Sequence, residues 1–83
     1  MTITETKLLF SFSQNLWWAL KEKKGRYKSL QEKDLGLLLE ITEKLIAGKG
    51  KEASMNFSKL PEDDKRILPK NILRIIMKYE DKE

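Results

Sequence analysis

The 83 residues allow one domain, and a chain this short buries only about 60–65% of the surface its unfolded form exposes, so its core is thin. Neither cysteine nor histidine occurs, which removes disulfides, thiolate nucleophiles, the usual zinc ligands and the usual general base. The net charge of +4, from 17 basic and 13 acidic residues, permits an anionic partner without demanding one.

The pattern is helical from the start. Thr2 to Glu5, TITE, has the form of a capping box. Over about 4–24 the residues Leu8, Leu9, Phe12, Leu16, Ala19 and Leu20 share one face. Gly25 is the expected terminator, with lysines before it that suit the negative end of the helix dipole.

Ser29 to Glu32, SLQE, is a second capping-box candidate, opening a helix over about 29–47. Leu30, Leu37, Leu38, Ile41, Leu45 and Ile46 form its apolar arc, with Leu35 and Leu39 on the edge. Gly36 either weakens this helix by roughly 1 kcal/mol relative to Ala or lets another backbone approach. Asp34 falls on the apolar side and reads first as the cap of a helix starting at Leu35, ahead of a buried functional carboxylate.

The glycine-rich, then polar stretch 48–59 reads as a flexible loop anchored by Met55 and Phe57. It is no phosphate loop, because Glu52 follows Gly50-Lys51 where Ser or Thr is needed. Asn56 to Ser58 fits the glycosylation pattern only by chance. Pro61 and the acids Glu62, Asp63 and Asp64 suit a helix start. Pro69 then breaks the chain into helices of about 61–67 and 69–80, the second with Ile72, Leu73, Ile75, Ile76 and Tyr79 buried. The expectation is a single all-α domain over 1–83, a small bundle of three to four helices.

Four features bear on function. Trp17 continues a row with Ile3 and Phe10 at spacings of seven, which widens the buried arc in preference to forming a second seam. Trp18 points to the polar side: it is the candidate partner site together with Tyr27 in the following turn, or else that turn folds over it with Tyr27 as the cover. Lys21, Lys23, Lys24, Arg26 and Lys28 form a basic run that could grip phosphates, with Tyr27 available for stacking. Arg66, Lys70, Asn71, Arg74 and Lys78 make a second basic stripe, on a helix–break–helix order like that of DNA-binding helix-turn-helix proteins. The acidic pairs Asp63–Asp64 and Glu80–Asp81 look exposed and non-catalytic.

The expected protein is therefore a small non-enzymatic binding module without cofactor or metal. A protein partner, as for an adaptor, regulator or inhibitor, ranks first. Nucleic acid bound through the two basic clusters ranks second. A membrane surface, met through Trp18 and its lysines, is third and disfavoured, because the fold needs the apolar face of the first helix. An oligomer is compatible with the pattern. No apolar run nears the roughly 20 residues of a membrane span, and MTITETKLLF lacks the features of a secretory signal, so a cytoplasmic protein is expected.

Overall fold

A computed structural model describes residues 2–80. Five helices follow in order: α1 (Ile3–Glu22), α2 (Glu32–Ile46), α3 (Gly50–Phe57), α4 (Glu62–Arg66) and α5 (Lys70–Glu80). The described residues contain no strand. The all-α bundle is as expected, with one helix more.

The capping box at Thr2 forms. The Glu5 amide donates to Thr2 Oγ1 at 3.1 Å and the Thr2 amide donates to Glu5 Oε1 at 3.0 Å, so two orphan donors of the first turn are satisfied reciprocally. From this start α1 buries Leu9, Phe12, Leu16 and Ala19 against the other helices. Lys23, in a left-handed conformation, ends it.

The second capping box does not form. Residues 25–30 are held in turns, with the Lys28 amide on the Gly25 carbonyl and the Leu30 amide on the Tyr27 carbonyl. Tyr27 is drawn into the core, 2% exposed, edge-on to Phe12 with ring centroids 5.4 Å apart. That anchor keeps Ser29 out of capping position, and α2 begins at Glu32 with Gln31 as an N-cap lacking any side-chain bond. Asp34 accordingly lies in the first turn of α2 and does not cap it.

In α2 the buried set is Leu35, Leu38, Leu39, Ile41, Thr42 and Leu45. Leu35 and Leu39, expected at the edge, are central because α2 is covered on one side by α1 and on the other by α3. Thr42 satisfies its buried hydroxyl by donating to the Leu38 carbonyl at 2.8 Å. Gly36 is exposed with open space around it, so no backbone approach explains it.

The stretch expected as a loop carries α3. Gly48, at φ +80°, ends the preceding helix, and Gly50, Ala53 and Phe57 then present a helical face to the core. The face is narrow, and glycines at its start hide it from a periodicity reading. Phe57 is the anchor expected; Met55 is exposed. Tyr79 of α5 lies so close over Gly50 that any Cβ there would overlap its ring, and this contact ties α3 to the terminal helix. Pro61 and Pro69 bound the five-residue α4. In α5, Ile72, Ile75 and Ile76 complete the core, with Leu73 and Tyr79 packed at its edge.

Candidate functional site

Four large apolar side chains of α1 stay in solvent: Ile3 is 76% exposed, Phe10 54%, Trp17 42% and Trp18 44%. Trp17 is thus not the core residue the sequence suggested. Seven residues advance a helix to within about 20° of the same direction, so Ile3, Phe10 and Trp17 do form one row. That row lies outside the arc that α2 and α5 cover, and a five-helix core of this size has no further element to reach it. Lys7, Gln14 and Lys21 form a parallel row about 40° away, and the Lys21 ammonium sits 5.4 Å from the Trp17 ring centroid.

Trp18 is about half exposed, and the turn after α1 leans on it. Gly25, at φ +89°, lies so near that a Cβ there would meet Trp18 Cε3 at 2.8 Å. The covering residue is Gly25 and not Tyr27. Tyr27 itself, expected beside Trp18 as a partner contact or stacking ring, is core; burial raises its pKa, and the nearby Arg26 charge partly offsets that.

The acidic residues of α1 stay off the apolar row. Glu5 receives the Lys78 ammonium and is pulled down to about 2, first by that bond and then by the Thr2 amide. Glu22 lies about 140° around the helix from Trp17.

The two basic clusters do not merge into one stripe. Lys78 is engaged by Glu5, and Lys21 lies over Trp17. Lys23, Lys24, Lys28 and Arg74 are exposed singly. Arg26, Arg66 and Lys70, from three different segments, instead line one groove of about 530 Å³. Asn71 lines a smaller neighbour of about 200 Å³ that shares Arg26, Tyr27 and Pro69.

The remaining titratable feature was missed in the sequence. Asp64, expected exposed, is 8% exposed, and its Oδ2 has no hydrogen-bond partner. Burial, then the hydrogen bond and charge of the Asp34 carboxyl and the charge of Asp63, raise its pKa to about 6; Lys33 alone opposes this. A carboxyl raised in this way by burial and a neighbouring carboxylate signals either acid–base chemistry or a strained joint. Only the meeting of the α2 start with α4 reveals it, 30 residues apart in the chain. Asp81, part of the second acidic pair, lies outside the described residues. Among the described residues no group of three or more acidic, His or Cys side chains gathers as a metal ion would require, and no helix is long and apolar enough to cross a membrane.

The Asp34–Asp64 joint predicts a pH dependence. The folded value lies above the ordinary 3.8, so this contribution is full below about 3.8 and is lost as pH rises through about 6. Glu5 acts oppositely, and its contribution is lost as pH falls from about 4.5 toward about 2. Stability from these two groups should therefore be greatest at about pH 4 and fall as pH rises through about 6, and Asp64→Asn should be the more stable protein at pH 8, by about 1–3 kcal/mol. Urea melts at pH 5 and pH 8 test this; a wild type more stable at pH 8 than at pH 5 excludes the raised pKa of Asp64.

Comparison with protein-family models, with curated proteins and with solved structures finds no match for this chain.

Proposed function

We propose that the protein is a non-enzymatic docking module that binds another protein along the outer face of α1. The observation that carries this reading is the exposed row Ile3–Phe10–Trp17 on a 20-residue helix. Apolar residues repeating every seven are the pattern by which one helix seats another, and aromatic rings in such a row are the usual energetic anchors of an interface. Trp18, about 100° around the helix from Trp17 and braced by Gly25, adds a second exposed ring beyond the Lys7–Lys21 row. Lys7 and Lys21 flank the row, and no carboxylate of α1 lies along it, so the complementary partner is an amphipathic helix with acidic residues beside its apolar stripe. A second copy of this chain would bring lysine rows together, which disfavours self-pairing.

The test is a photoreactive phenylalanine analogue in place of Phe10, with the same group in place of the exposed Met55 on α3 as control. The Phe10 probe should crosslink a partner at an acidic amphipathic helix, and Phe10→Asp should weaken the complex by about 2 kcal/mol or more while circular dichroism stays unchanged. Crosslinking only to a second copy, or equally from both positions, overturns the reading. A cytoplasmic location belongs to the same proposal.

A further inference from the structure

The groove between the turn after α1 and the α4–α5 junction lies on another side of the molecule. Arg26 comes from that turn, Arg66 is the last residue of α4, and Lys70 is the first of α5. Three cations from three segments face one concavity of about 530 Å³, and no acidic side chain lines it. Like charges brought together in this way repel one another, and without an anion nothing in the groove offsets that.

Lys70, which lines this groove, and Asn71, which lines the adjoining one, carry backbone donors without partners. Asn71 Oδ1 accepts the Ile72 amide at 2.9 Å, while the Lys70 and Asn71 amides enter no backbone hydrogen bond among the described residues. They stand at the positive end of the 11-residue α5. Tyr27 lines the same wall; its ring is buried, and the Arg26 charge reaches its hydroxyl. Ser29 adds a second hydroxyl to the lining.

We infer that this groove is an anion site for a phosphate group, free or as an ester. Tetrahedral phosphate oxygens match the two guanidinium forks of Arg26 and Arg66, the Lys70 ammonium and the free amides of the α5 start. Phosphate suits this donor set better than a carboxylate, which has two oxygens for donors arriving from three directions. The adjoining groove of about 200 Å³ continues from Arg26 to Asn15 and Asn71, so an ester can extend there with its body hydrogen-bonded to side-chain amides. This site is independent of the α1 docking row: Asn15 lies about 160° around α1 from Trp17.

Titration with inorganic pyrophosphate, followed by amide chemical shifts, tests the assignment. The expected changes concentrate at Arg26, Lys70 and Asn71, and the double variant Arg26→Gln/Arg66→Gln should weaken binding by about tenfold or more. The double variant Lys49→Gln/Lys51→Gln removes equal charge at exposed positions remote from the groove and should change binding by less than about twofold. A 5′-phosphorylated dinucleotide that binds more tightly than pyrophosphate, and loses this on dephosphorylation, identifies an ester ligand; equal binding identifies free phosphate. Shifts spread over all the lysines, or equal losses in the two double variants, would reduce the effect to net charge and overturn the site. So would an absence of binding at low salt.

Discussion

Leu16→Ala should cost about 2–5 kcal/mol, and Trp17→Ala, one residue on, no more than about 1–1.5 kcal/mol. Leu16 is fully buried within the hydrophobic core, so truncation leaves a cavity that the neighbouring helices can close only in part. For a domain this small the loss is a large share of the whole stability. Trp17 is the larger side chain, yet it lies at the surface with Lys21 over it, and its removal opens no cavity. The comparison needs two variants and urea melts followed by circular dichroism. Equal costs would show that the Trp17 ring is part of the core and would remove the α1 row as a docking face.

Gly50→Ala should be the most damaging single-methyl change in the chain, at about 1–3 kcal/mol. An ideal Cβ at this position overlaps the near edge of the Tyr79 ring, Cγ and Cδ1, which cannot be moved aside by a small rotamer adjustment. Either α5 shifts or Tyr79 leaves its seat. Gly50 itself has no positive φ, so alanine is otherwise acceptable there and better for a helix. The two effects separate in a cycle. In a Tyr79→Ala background, Gly50→Ala should be neutral or stabilising by up to about 1 kcal/mol. If it remains destabilising there, the cause lies in the backbone of α3 and not in the ring.

Much of the fold was legible because its signals are local. The Thr2–Glu5 box, the apolar arc of α1 and the two prolines around α4 depend on neighbours within a few residues, and each behaves as its spacing suggests. What failed depends on contacts distant in sequence. Tyr27 enters the core through Phe12, and by doing so it delays α2 to Glu32 despite a good capping sequence. Gly50 looks like a linker residue until Tyr79 is placed over it. The row of Ile3, Phe10 and Trp17 was visible as a row, but whether a helix comes to cover it is decided by how many other helices the chain can supply. At the candidate sites the same division holds. Residue types were readable, whereas the gathering of Arg26, Arg66 and Lys70, and the approach of Asp34 to Asp64, follow from the meeting of the α4 region with the segment 26–34.

Both tryptophans of the chain sit on the outer half of α1, and none lies in the core. Indole emission therefore reports on that surface and hardly on the packing beneath it. The native spectrum should already be red-shifted, and unfolding should move it little, so a fluorescence melt would understate the cooperativity that circular dichroism records. The same placement makes the unmodified protein an optical sensor: anything that seats on α1 and excludes water must shift the emission to the blue, with no label attached.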